Sequence, residues 1–173
     1  MHTILPAQPA DAALLARLGG QTFIESHGHS APPAVIAQYV EEKFRPEVLE
    51  QELAGAGNQY FLLHQSGMPV GYAKIRFSEP HPNLPFTDVT KLDRLYLLAG
   101  AQGNGGAAAL FHYLVQHSQR AGQKGMWLYV WTQNPRAVAF YRKQGFREIG
   151  RYDFRLTDAH ANPNYQMLLT YDT

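Results

Sequence analysis

Leu95-Tyr96-Leu97-Leu98-Ala99-Gly100-Ala101-Gln102-Gly103-Asn104-Gly105-Gly106-Ala107 takes an apolar strand into a glycine turn that opens a long helix. Glycines at 103, 105 and 106 let backbone N–H groups converge, and the N-terminus of the following helix adds partial positive charge to those donors. The stretch suits a pyrophosphate.

Around it the pattern reads as mixed α/β. Leu92–Leu98 is apolar enough to be a strand buried on both faces. Gly105–Ala121 reads as a helix with Ala107, Leu110, Phe111, Leu114 and Ser118 down one stripe, closed by Gly122. Met126–Trp131 gives the next strand, and strand, long helix, strand is a βαβ crossover that requires parallel strands. Asn134 then caps a short helix over 135–143, with Pro135 at its first position and Gly145 at its end. Phe146–Leu156 and Tyr165–Tyr171 form an antiparallel end.

Upstream, residues 2 to 5 read as a strand, and Pro9-Ala10-Asp11 opens a helix that Gly19-Gly20 weakens or ends. Thr22–His29 fits neither helix nor loop decisively. Pro32-Pro33 starts a helix to about Phe44, and Pro46 a third to Ala54-Gly55. Gln59–His64 and Val70–Phe77 are strands joined by Gln65-Ser66-Gly67-Met68-Pro69, whose glycine and proline suit a hairpin connection. Ser78–Asp88, with prolines at 80, 82 and 85, reads as a loop of the length that often carries function.

The 173 residues fit one domain, with 45% hydrophobic and 17% charged residues, the balance of a folded globular chain. A net charge of +1 gives no case for nucleic acid. The lack of cysteine excludes a disulfide framework, a cysteine nucleophile and cysteine-based metal sites. Neither a basic leader with an apolar run nor about 18 consecutive apolar residues occurs, so a cytoplasmic protein with no membrane partner is expected. His27-Gly28-His29 lacks the acidic or cysteine cluster that completes a zinc site. No metal is expected, and His27 and His29 are read as loop residues at an acceptor pocket.

The Gln-x-x-Gly-x-Ala loop (Gln102, Gly105, Ala107) and the Asn-(six residues)-Tyr-(three residues)-Gly-Phe segment (Asn134, Tyr141, Gly145, Phe146) together resemble the GCN5-related N-acetyltransferase superfamily. The resemblance implies a single domain with a mixed central sheet of about seven strands and helices on both faces. Residues 1–88 would form the acceptor side and 89–173 the acetyl-CoA side. It further implies that backbone groups of Leu95, Tyr96 and Leu97 pair with the pantetheine arm of acetyl-CoA, used as co-substrate. Gln102, Gly103, Asn104, Gly105, Gly106, Ala107 and Ala108 would bind the pyrophosphate, with Asn134, Ala137 and Tyr141 completing the cofactor contacts. Asn104 stands where the family usually has a basic residue, removing one phosphate contact worth about 1 kcal/mol at an exposed site. Gly106 stands where an apolar residue is frequent.

By the same resemblance Tyr141 faces the thioester sulfur as general acid. A phenol of pKa about 10 can donate to a thiolate whose acid has pKa about 8.5. Core packing beside Ala137 and Phe140 is the other reading of Tyr141. Asp93 and Glu25 are the candidate bases, Asp93 also reading as a salt-bridge partner of Arg94, of Lys91 or of a neighbouring strand. Thr22–Ser26, Val70–Ile75, Leu92–Leu97, Trp127–Trp131 and Tyr165–Leu168 are similar to the bacterial polyamine N-acetyltransferase subgroup typified by PaiA. Five glutamates between 41 and 52 against Lys43 and Arg45, a local charge of −3, permit a polyamine. Other small amines, amino acids, antibiotics, or a protein or peptide amine are the alternative acceptors. A non-catalytic acyl-CoA-binding sensor is the competing class. A nicotinamide site is disfavoured because the strand ending Trp131-Thr132-Gln133 lacks the acid that such a fingerprint needs. Relatives are often homodimers, but no heptad or other interface pattern appears.

Overall fold

The hairpin expected across Gln65–Pro69 forms between β2 (Gln59–Gln65) and β3 (Met68–Arg76), with the turn itself confined to Ser66-Gly67. Both turn residues have positive φ, 50° and 80°, the twist that matches a two-residue connection. In this computed structural model, which describes residues 1–172, hydrogen bonding orders a seven-stranded mixed sheet as β1-β2-β3-β4-β5-β7-β6. The remaining strands are β1 (His2–Pro6), β4 (Thr90–Leu97), β5 (Gly125–Trp131), β6 (Arg147–Arg155) and β7 (Ala161–Thr170). Residue 173, where the expected domain ends, lies outside the described residues. The pairs β1/β2, β2/β3, β5/β7 and β6/β7 are antiparallel. β4 and β5 are parallel, in register at Thr90↔Met126 and Lys91↔Trp127. The crossover between them is α4 (Gly106–Arg120).

One compact unit comprises Met1–Ile75 with Arg94–Leu114, and a second comprises Arg76–Asp93 with the segment from Val115. In the first, α1 (Ala12–His27), α2 (Pro33–Lys43) and α3 (Pro46–Ala54) accompany β1 to β3. A 3-10 turn at Pro9–Asp11 precedes α1. Gly19-Gly20, expected to weaken or end the first helix, does not end it. The Phe44 ring occupies the space where a Gly19 side chain would stand, and Val40 Cγ1 comes within 3.2 Å of the corresponding position at Gly20. The glycines are notches for close packing, and the buried apolar surface offsets their cost to the helix, about 1 kcal/mol each. Thr22 and Ser26 stay helical by donating their hydroxyls to Leu18 O and Thr22 O, both at 2.7 Å. Thr22–His27 is therefore helix, and His27 its last residue rather than a loop residue.

In the second unit, Val89, Trp127 and Leu168 form a core against which Leu84, Phe86, Tyr129 and Ile149 pack. The Pro-rich loop before β4 is irregular, as expected, but pinned. Trp127 Nε1 donates to Glu79 O at 2.8 Å, and Asn83 Nδ2 to Gln166 Oε1 at 2.9 Å. Ser118, read as part of the apolar stripe of α4, is fully buried and shares hydrogen bonds with Thr90 (2.6 Å) and Tyr171 (2.9 Å). Among the described residues no helix is long and apolar enough to cross a membrane.

Candidate active site

β4 ends at Leu97 and leads through a 3-10 turn, Ala99–Ala101, into the glycine loop. The side chain of Gln102 returns to the strand, donating to Leu97 O at 3.2 Å. Gly103 and Gly105 adopt φ of +88° and +80°, and a Cβ at either would meet nothing within 4 Å. Glycine is thus needed there for backbone conformation, not for space. Ala109 donates to Gly105 O at 3.0 Å, while the amides of Gly103 through Ala108 have no backbone acceptor among the described residues. Gly106 is constrained differently: a Cβ would stand 3.1 to 3.3 Å from Leu97, Leu63 and His2. The small residue lets the helix begin close against the strands, which accounts for the departure from a larger apolar side chain. Gly103, Asn104 and Gly105 are exposed. Open amides at the start of a four-turn helix fit an anionic phosphate group.

In the second unit, α5 (Pro135–Lys143) is closed at both ends. Asn134 Oδ1 accepts from Ala137 N at 3.2 Å. At the far end Gly145, at φ +103°, donates to Arg142 O (3.0 Å), and Phe146 donates to Tyr141 O (3.1 Å). That is a Schellman cap, and its expected apolar contact is present, Phe146 lying edge-on to Tyr141 with centroids 5.5 Å apart. Phe140 makes a second edge contact at 5.3 Å. Tyr141 is 8% exposed, so both readings of it, packing and a fixed phenol, share one geometry.

β4 alternation separates the two charges at its centre. Asp93 does not pair with Arg94. Its oxygens accept from Arg76 Nε (2.6 Å) and another Arg76 guanidinium nitrogen (3.1 Å), and Lys91 Nζ lies 3.3 Å away. Arg76 also reaches Glu79 at 3.3 Å, and the Lys91 ammonium rests over Trp127 and Tyr129. Glu25, on α1, accepts the Ala99 N–H through Oε2 at 3.0 Å, which ties that helix to the turn before the glycine loop.

Arg94 turns into a group that sequence reasoning did not assemble. It donates to Tyr60 Oη at 3.1 Å and lies 4.7 Å from the centre of the Phe44 ring. Tyr60 donates in turn to Glu52 (2.8 Å), which Lys74 pairs at 2.6 Å. Burial pushes Tyr39 and Tyr72 up to about 12 against the opposing charge of Arg94, and pushes Tyr60 and Tyr96 higher still. All four phenols are neutral at physiological pH. Burial alone would raise Glu52, but the hydrogen bond and charge of Lys74, with Tyr60 and Arg94, hold it below the usual carboxylate range. His27 stacks on Phe23 (centroids 4.9 Å, 9°) and meets Tyr96 edge-on at 6.2 Å. Burial, with the nearby charge of His29, lowers His27 to about 4.

Four of the five glutamates counted between 41 and 52 are exposed on helix surfaces; only Glu52 joins this group. The sole sequence signal for it was the density of tyrosine on β2, β3 and β4.

Residues 24–146 match the Acetyltransferase (GNAT) family. The chain is 32% identical over 152 residues to an uncharacterized N-acetyltransferase of Mycobacterium tuberculosis, covering 88% of this chain and 93% of that one. Among solved structures, the PaiA N-acetyltransferase of Thermoplasma acidophilum in complex with coenzyme A superposes with a TM-score of 0.78 at 18% identity, over 99% of both chains. A ribosomal-protein-alanine N-acetyltransferase of Brucella melitensis gives 0.67 at 18% identity, over 98% of this chain and 99% of that one. The family match and the mycobacterial relative establish that this chain belongs to the GNAT acetyltransferase family.

Proposed function

We propose that the protein transfers an acetyl group from acetyl-CoA to a primary amine of a small molecule, by direct attack in a ternary complex. The observation that carries this reading is the Gln102–Ala108 turn, in which the amides of Gly103 through Ala108 lead into α4 without backbone acceptors among the described residues. Residues 89–173 hold acetyl-CoA and residues 1–88 supply the acceptor side. Backbone groups of Leu95–Leu97 pair with the pantetheine arm, the turn holds the pyrophosphate, and Asn134, Ala137 and Tyr141 complete the contacts. Acetyl-CoA supplies an acyl carbon activated as a thioester. Tyr141 gives its phenolic proton to the departing sulfur as the carbon–sulfur bond breaks and the carbon–nitrogen bond forms.

The amine must arrive neutral. Of the two candidate bases, Asp93 has both oxygens committed to Arg76 and Lys91, whereas Glu25 has one oxygen committed to Ala99. Glu25, the less committed carboxylate, takes the proton, and Asp93 ties the centre of β4 to Arg76 on β3. A polyamine acceptor draws support from the PaiA resemblance, and four exposed glutamates add little to it, since such groups are usually just solvated. A cytoplasmic homodimer is the form of the enzyme this reading takes from the family.

Tyr141→Phe tests the mechanism. The ring and its contacts with Phe140 and Phe146 remain, so acetyl-CoA affinity measured by calorimetry should be unchanged while turnover falls about 10²-fold. An unchanged turnover removes Tyr141 from the proton transfer. Saturable acetyl-CoA binding with no turnover on any amine would make the protein a sensor.

A further inference from the structure

We propose that Arg94 is the anchor for a carboxylate on the acceptor, so that the amine acetylated belongs to an amino acid or a related amino-carboxylate; this rests on the acetyltransferase reading above. A partly buried guanidinium is ordinarily met by a carboxylate, because neutral dipoles do not replace a lost hydration shell. Arg94 has no such partner within 4.0 Å among the described residues. Its contacts include the Tyr60 hydroxyl and the face of Phe44, with the Tyr72 hydroxyl beside it as well. The phenols of Tyr72, Tyr60 and Tyr39 and the carboxylate of Glu52 all act on its charge. Those phenols carry no charge at neutral pH.

The one carboxylate of the group is already engaged by Lys74 at 2.6 Å and by the Tyr60 hydroxyl. Lys74 and Arg94 against Glu52 leave one positive charge in excess. A polyamine would add cations to that excess, whereas a carboxylate would neutralise it and accept two N–H bonds from the guanidinium fork. Position agrees with chemistry. Tyr39, Phe44, Glu52, Tyr60, Tyr72 and Lys74 all come from residues 1–88, the proposed acceptor side, and Arg94 directly precedes the Leu95–Leu97 backbone proposed for the pantetheine arm.

The test compares free L-amino acids with their carboxamides and with the amines left by decarboxylation, in wild type, Arg94→Gln and Arg94→Lys. Release of CoA thiol gives turnover. Calorimetry gives binding of N-acetyl amino acids beside N-acetyl amino amides. The carboxylates should exceed the carboxamides by about 10- to 100-fold in kcat/KM, mainly through KM, and this ratio should fall toward one in Arg94→Gln. Arg94→Lys should keep the charge, lose the fork and give an intermediate ratio. Equal use of acids and amides by wild type overturns the inference, as does a preference for polyamines or a ratio that survives Arg94→Gln. If Arg94→Gln does not fold, as judged by its thermal melt, the wild-type ratio and Arg94→Lys decide. If no amine is turned over, the acetyltransferase reading fails. Calorimetry then decides separately: carboxylate-dependent binding lost in the variants upholds the anchor, and its absence overturns it.

Discussion

Lowering the pH from 7 to 5 should destabilise this protein by about 2 kcal/mol through His27 alone. The folded pKa of about 4, against the ordinary 6.5, has burial as its main cause and the charge of His29 as the second. In the unfolded chain the imidazole takes a proton near 6.5, but in the folded chain it does not until about 4. Between those values the unfolded state binds more protons, so stability rises with pH across the window and falls as the solution is acidified. The full shift amounts to about 3 kcal/mol, and a little over half of it falls between pH 7 and 5. His27→Phe keeps a ring stacked on Phe23 and edge-on to Tyr96 while removing the titrating group. Urea unfolding at pH 7, 6 and 5 should give a shallower pH slope for the variant, whatever its absolute stability. His117, also lowered by burial and by Arg120, is present in both proteins and cancels. Parallel slopes for wild type and variant would refute the assignment of a neutral, buried His27.

Gly105→Ala imposes a side chain on a residue at φ +80° with open space around it, so its cost is backbone strain of about 1 kcal/mol rather than a clash. Acetyl-CoA affinity by calorimetry should fall about 5-fold; an unchanged affinity detaches the turn from the cofactor. Asp93→Asn should lower the melting temperature, since it takes the charge from the acceptor shared by Arg76 and Lys91. The pH–rate profile should keep its shape, and loss of a limb would make Asp93 the base.

The elements that the sequence made legible are those whose signals are local. The hairpin across Gln65–Pro69, the capped helix from Pro135 and the βαβ crossover each follow from residues within a few turns of one another, and the structure has them close to the expected bounds. Gly19-Gly20 misled because local propensity argues for a break, while the residues that favour the glycines, Val40 and Phe44, lie some 20 positions on. The strand over 92–98, expected to be buried on both faces, begins at Thr90 and leaves Asp93 to Tyr96 partly exposed. Arg76 and Tyr60, which engage its two central charges, are 17 and 34 residues away. The 3-10 turn at Ala99–Ala101 and its tie to Glu25 were unreadable for the same reason, a contact across 74 residues. The cofactor side, whose chemistry resides in glycine spacing and helix caps, could be read locally; the acceptor side is assembled from separate strands and helices, and could not.

Release of free CoA thiol from acetyl-CoA, with and without amines, tests the central claim most directly, and a protein without cysteine adds no thiol background. The account predicts release that depends on the amine and collapses in Tyr141→Phe. Release at the same rate without any amine, or amine-dependent release that persists undiminished in Tyr141→Phe, would contradict it.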